Sequence, residues 1–376
     1  MNSYLLHFIL FLSAVAMAYF LTPVIEKLAI KIGAYDIPTE RKVHREPVPR
    51  LGGIAIFISF VVVAVIFVAI RILMKSHTAA DLLANNKEII GVISGATFAF
   101  LFGCLDDIFE ITAKFKFLGQ FVAALIVLSF GVTVTFIGNP FGGGLISFPE
   151  ILGYNLIGAF ITMFWIIGLT NAFNFIDGLD GLASGVGIIA ISALYFSAIQ
   201  AGKINIAILL VILGGTLLGF LRFNFNPAKI FMGDSGTMFV GFFLGSVTVL
   251  SAAKSTAALA LLVPIVIMGV PIFDTAYAIW RRFINKKPLS VADKEHIHHR
   301  LLRKGFSHKK AVLIIYAWTA LLSGVGISLA LTESGFVKLV LLFVFVVVTF
   351  MLARYTGLFD WFLKVESRKE EHERNE

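Results

Sequence analysis

The stretch NAFNFIDGLDG (171–181) sets Asn171, Asn174, Asp177 and Asp180 three residues apart, with Gly178 and Gly181 beside the acids. If a helix continues through it, that spacing keeps the four polar groups near one face. The glycines let a ligand or a second backbone approach closely. Helix capping uses Asn, Asp and Gly too, but it accounts for one or two of these residues and not four. A second acidic stretch, CLDDIFE (104–110), carries Asp106, Asp107 and Glu110 at the end of an apolar run. Acids at a helix C-terminus oppose the helix dipole. Adjacent carboxylates there suit a divalent cation, or a base that must stay charged; the plain alternative is a solvated acid pair.

Three further stretches carry anion-binding chemistry. In MGDSG (232–236), Asp234 or Ser235 is a natural N-cap. A helix N-terminus also attracts phosphate, and an acid there can hold Mg2+, which typically takes one or two carboxylates plus substrate phosphates. EHIHHR (295–300) places His296, His298 and His299 beside Arg300 in a basic loop. No cysteine is near and the spacing matches no zinc helix, so a polyanion is the better ligand. The first loop brings Arg41, Lys42, His44, Arg45 and Arg50 together before Gly52 and Gly53. It would bind a lipid phosphate, or simply follow the excess of basic residues in cytoplasmic loops.

The elements that position these residues are membrane spans. The chain of 376 residues is 58% hydrophobic and 14% charged, where a soluble domain carries about a quarter charged residues. Mean hydropathy is +0.91. An all-α polytopic membrane protein is expected, with about eleven spans near 4–22, 51–70, 88–105, 116–137, 151–170, 183–200, 205–221, 237–252, 257–279, 312–331 and 336–353. Of 31 Lys and Arg residues, 25 fall after odd-numbered spans and 6 after even-numbered ones. The odd side is therefore cytoplasmic, with the N-terminus outside. This sidedness explains the net charge of +8 without nucleic acid as a partner. All five unusual stretches follow odd spans, so one cytoplasmic site assembled from five loops is expected. FIGNPFGGGLISFPE (136–150) reads as a small outer hairpin, and Pro264 and Pro271 as a bend in the ninth span. Residues 1–354 form one transmembrane catalytic domain and 355–376 a charged cytoplasmic tail. The single cysteine, Cys104, excludes an intrachain disulfide.

Mg2+-type acids, phosphate-binding elements and a place at the lipid boundary imply a reaction between a phosphorylated lipid and a soluble phosphorylated partner. DDIFE, NAFNFIDGLDGLA, NPAKIFMGDSG and HIHHRL, in this order, resemble the polyprenyl-phosphate N-acetylhexosamine-1-phosphate transferases over about residues 1–325. The resemblance implies transfer of sugar-1-phosphate from a UDP-N-acetylhexosamine to undecaprenyl phosphate, with release of UMP, in the bacterial plasma membrane among its lipids. It implies Mg2+, with Mn2+ as a substitute, on Asp234 and Asn174. Asp177, Gly178 and Asp180 would line the nucleotide pocket, with Phe231 stacked on uracil. Asp106 and Asp107 would act catalytically beside the lipid phosphate. His296, His298, His299 and Arg300 would contact the diphosphate and sugar, and Lys42, His44 and Arg45 the lipid phosphate. A homodimer is one expected assembly.

HIHHRLLRKGFSHKKAV and RKVHREPVPRLGG look like the GlcNAc-1-phosphate transferase branch, where the muramoyl-pentapeptide translocases have three histidines followed by Phe-Glu. Glu110 departs from both: that branch often has Asp there, and the translocases Lys. The rival readings are the translocase, an aromatic prenyltransferase, which needs neither FMGDSG nor HIHH, and a transporter, whose acids lie at mid-bilayer rather than at span ends.

Overall fold

The computed structural model describes residues 3–38, 46–73, 86–138, 145–149, 155–253, 261–286 and 295–357. Long apolar runs fold as helices because lipid offers the backbone no hydrogen bonds, so each span must satisfy its own. The helices are α1 (Ser3–Ile32), α2 (Gly52–Leu73), α3 (Lys87–Phe109), α4 (Ala113–Ser129), α5 (Leu156–Ile176), α6 (Leu182–Gln200) and α7 (Ile204–Asn224). They continue as α8 (Gly233–Ala253), α9 (Leu262–Ile267), α10 (Gly269–Ile284), α11 (Ile297–Arg303), α12 (His308–Leu331) and α13 (Gly335–Tyr355). Among the described residues, nine helices are long and apolar enough to cross a membrane. The chain is a multi-pass, all-α membrane protein.

Two of the eleven expected spans differ. The fourth, expected over 116–137, is the 17-residue α4, Ala113–Ser129. It stops because Gly131 takes a left-handed φ of 87°, and an extended segment follows. The ninth, expected over 257–279, is two helices within its described part, α9 and α10, parted at Met268. Pro271 has no N–H to bond the carbonyl four residues back, so the ladder breaks there. The expected bend is real and sharper than a kink. The expected hairpin also forms: β3 (Phe136–Gly138) pairs antiparallel with β4 (Leu145–Ser147), with Ile137 opposite Ile146.

Helix α8 is the axis of the fold. Of its most apolar stretch 94% is buried, against 11% for α13, which presents Phe336, Leu339 and Phe343 at the periphery as a lipid-facing helix does. Helices α3 and α5 pack along α8. Phe57 of α2 stacks on Phe100 of α3 at 3.9 Å and meets Phe239 of α8 edge-on at 5.2 Å, an offset and T-shaped set that fills the interior. The first loop is stitched to the start of α8. β1 (Tyr35–Asp36) pairs with β2 (Val48–Pro49). Phe231 N–H then donates to Pro49 O at 2.8 Å, and Gly53 N–H to Met232 O at 2.8 Å.

Candidate active site

The acidic end of α3 has a partner that its own sequence does not reveal. Asp106 and Asp107 are both buried. Asp107 Oδ1 accepts from the N–H of Asp234 at 2.8 Å and Oδ2 from that of Ser235 at 2.9 Å. The unfavourable dipole of α3 is thus offset by the positive N-terminus of α8. The N-cap function considered for Asp234 or Ser235 is carried out from another helix. Gly233 is needed for this contact: its φ is 73°, and a Cβ there would lie 2.6 Å from Asp107 Oδ2.

Relieved of capping, the Asp234 carboxylate faces sideways. Its Oδ1 accepts from Asn174 Nδ2, which also donates to Thr237 Oγ1 at 2.7 Å. Its Oδ2 accepts from Lys116 Nζ at 2.6 Å, and the same ammonium pairs with Asp106 Oδ2. Asp106 Oδ1 is buried without a hydrogen-bond partner. Two carboxylates therefore share one lysine. Lys116 stands at the first residue of an expected span, and its sequence position alone carries no signal of this role.

The four polar residues of 171–181 divide. Helix α5 stops at Ile176, so the common face expected for all four does not persist. Asn171 instead ties α5 to α4, donating to Gln120 Oε1 at 2.7 Å and to Ile167 O at 2.8 Å. Asn174, Asp177, Gly178 and Asp180 line a cavity of about 360 Å3, together with Asp107, Phe231, Asp234 and His299. Asp36, Arg50, Leu179, Asn224 and Gly233 complete its wall. Asp180 Oδ2 accepts from Asn226 Nδ2 at 2.8 Å and from Ala228 N–H at 3.1 Å, which ties the turn to the segment leading into Phe231. Burial, then the negative charge of Asp234, Asp107 and Asp180, pushes the Asp177 carboxyl up to about 8. Arg50 bonds Glu110 Oε1 at 3.1 Å and approaches Asp36 Oδ1 at 3.8 Å. Glu110 thus serves as an exposed ion-pair partner of Arg50.

Of the histidine segment, only His299 reaches the cavity wall. His298 is buried against Gly178, where a Cβ would fall 2.1 Å from its Nε2. Burial, reinforced by His299, His296 and His308, holds the His298 imidazole well below its usual value, so it is neutral. His296 bonds Asp274 of α10. Arg300 turns to Glu295, Nη2 to Oε2 at 2.9 Å, and to the carbonyl of Gly357. Asp106, His296, His298 and Arg300 therefore stand behind the wall rather than in it. Lys42, His44 and Arg45 lie outside the described residues. Asp274 lies within an expected span, where a lone acid is itself a signal of function.

Asp234 and Asn174 present hard oxygen donors, the type Mg2+ selects. Among the described residues no three His, Cys, Asp or Glu side chains converge as a metal cage. The surplus of carboxylates over Lys116 and the unpartnered oxygen of Asp106 leave negative charge for a cation to balance.

A glycosyl transferase family 4 model matches residues 89–252. A Bacillus subtilis (strain 168) protein named as a probable undecaprenyl-phosphate N-acetylglucosaminyl 1-phosphate transferase is 39% identical over 340 residues, covering 90% of this chain and 88% of its own. A decaprenyl-phosphate N-acetylglucosaminephosphotransferase of Mycolicibacterium smegmatis is 36% identical over 83% of this chain and 79% of its own. An undecaprenyl-phosphate alpha-N-acetylglucosaminyl 1-phosphate transferase of Escherichia coli (strain K12) is 26% identical over 80% of this chain and 78% of its own.

Proposed function

The chain belongs to glycosyl transferase family 4, and on that footing we propose that it transfers N-acetylglucosamine-1-phosphate from UDP-GlcNAc to undecaprenyl phosphate. UMP is released, and the product starts a lipid-linked glycan of the cell envelope. The observation that carries this reading is the single cavity in which Asn174, Asp177, Asp180, Phe231, Asp234 and His299 meet. It combines oxygen ligands, an aromatic ring and a histidine at the ends of helices long enough to cross a membrane. The site faces the cytoplasm at the bacterial plasma membrane, as the distribution of basic residues supports.

An oxygen of the lipid phosphate bonds to the sugar-linked phosphorus of the donor. The bond from that phosphorus to the bridging oxygen breaks, and that oxygen leaves with UMP. The lipid phosphate is mostly dianionic at pH 7, because its second pKa is about 6. No strong base has to act, so positioning and charge neutralisation carry the reaction. Mg2+ on Asp234 and Oδ1 of Asn174 would neutralise charge on the diphosphate as a Lewis acid.

The chain's own residues do the rest. Asp107 fixes the start of α8 and hence the Asp234 carboxylate. Lys116 balances Asp106 and Asp234 against each other. Asp177, Gly178 and Asp180 form the nucleotide wall, with Phe231 as the uracil platform. His299 meets the diphosphate and sugar. Arg50, at the end of the segment holding Lys42, His44 and Arg45, draws the lipid phosphate to the cavity.

The test is UMP release by purified protein with undecaprenyl phosphate, Mg2+ and a panel of UDP-sugars. Turnover with UDP-GlcNAc and little with UDP-MurNAc-pentapeptide is expected. Comparable turnover of the pentapeptide donor would move the chain to the other branch, and no turnover of either would overturn the reading.

A further inference from the structure

One face of α10 holds Glu295, His296, Ile297 and Arg300 of the histidine segment. Asp274, Tyr277 and Arg281 follow each other at helical spacing and all three are buried. Arg281 approaches Glu295 Oε2 at 3.7 Å. The Arg300 guanidinium lies 5.9 Å from the Tyr277 ring centroid. Asp274 makes the most specific contacts. Its Oδ1 accepts from Ile297 N–H at 2.9 Å, in the first turn of α11, and its Oδ2 lies 2.8 Å from His296 Nδ1. A buried carboxylate needs both its oxygens satisfied. Here the backbone takes one and an imidazole N–H the other, which fixes the ring's orientation and tautomer.

The fixed ring is the first of a series. His296 lies against Phe175 of α5 at 5.6 Å and parallel to His298 at 6.0 Å, with 4° between the planes. His298 contacts His299 at 4.2 Å between centroids, and His299 lines the cavity. These ring pairs connect His296 to His299, the histidine that lines the cavity.

We propose that Asp274 is a positioning residue of the transfer reaction, acting through His296 to set the histidine segment against the cavity. The proposal rests on the function read above and assigns a role to an acid that touches no cavity atom. Asp274→Asn preserves shape and can still accept from Ile297 N–H. Its amide would donate to His296 Nδ1, however, and so reverse the polarity of that bond.

The experiment is a double-mutant cycle in the full chain with Asp274→Asn, His296→Gln and the pair, read as kcat and KM for UDP-GlcNAc and as thermal midpoints. Each single change should lower kcat/KM by about tenfold or more, mainly through kcat, since misplacement is felt at the transition state. The double variant should be no worse than the poorer single one, because the two act as one unit. Independent, multiplying losses would overturn the proposal, as would an Asp274→Asn protein that turns over normally. Asp274→Ser is the second variant. If neither Asp274 variant folds, the carboxylate is a fold element and the proposal fails. A parent protein inactive with UDP-GlcNAc would instead indict the functional reading.

Discussion

Asp107, at the end of α3, accepts the backbone N–H of Asp234, 127 residues later, at 2.8 Å. One carboxylate therefore caps the helix that presents the other, and the two acids should fail differently. Asp107→Ala leaves two helix-terminal N–H groups without their acceptor. It should cost about 1–3 kcal/mol of stability, as loss of charge-assisted bonds does, and lower activity with it. Asp234→Asn should leave the thermal midpoint close to the parent's and abolish UMP release, since it removes a charge from a site that has few for Mg2+. Thermal unfolding in detergent and Mg2+ titrations of turnover check both. A stable, inactive Asp107→Ala would mean that Asp107 acts on substrate directly.

Asn174 and Asp180 line the same cavity but are held differently. Asp180→Ala should mainly raise KM for UDP-GlcNAc, because it removes a contact made in ground and transition states alike. Asn174→Ala should mainly lower kcat, since Asn174 bonds Asp234 and would share its ion. Single-turnover data are needed to equate KM with binding. Matching kinetic profiles with lowered stability in both variants would make the stretch a structural cap.

Gly178→Ala should be disproportionately damaging for one methyl group. The new Cβ would fall 2.1 Å from His298 Nε2, so His298 must move. Overpacking of this kind costs about 1–3 kcal/mol. Turnover should drop by about tenfold or more as the histidine segment shifts. Gly178→Ala combined with His298→Ala relieves the clash and should recover the thermal midpoint. If it does not, the contact is not the cause.

Asp177 makes stability depend on pH. Its carboxyl is pushed from an ordinary 3.8 up to about 8, by burial first and by Asp234, Asp107 and Asp180 next. The folded state therefore holds a proton that the unfolded state releases. That stabilisation is fully present below the unfolded value and is lost as pH rises through the folded one. Without divalent cation, Asp177→Asn should match the parent near pH 4 and become progressively more stable than it up to about pH 8. Thermal midpoints of both proteins across that range provide the check. A difference that does not change with pH would mean that Asp177 is ionised throughout.

Much of the molecule was legible in the sequence because its causes are local. A run of apolar residues must become a helix in lipid, so hydropathy indicated eleven spans, of which nine are long apolar helices among the described residues. Turn residues marked the hairpin of 136–150, and Pro264 and Pro271 the bend in the ninth span. The polar residues that a membrane helix has no use for pointed to Asn174, Asp177, Asp180, Asp234 and His299 of the cavity, and equally to His296 and His298, which packing places behind its wall. The tertiary structure decided which partner each charge takes. Asn171 shares the spacing of Asn174 but bonds Gln120 of another helix. Lys116 joins Asp106 to Asp234, and Asp274 reaches His296, across helix ends that meet only when the bundle packs. A carboxylate in low dielectric takes whichever donor the packing brings within about 3 Å. Residue type announces that need, and only the arrangement of helices determines what meets it.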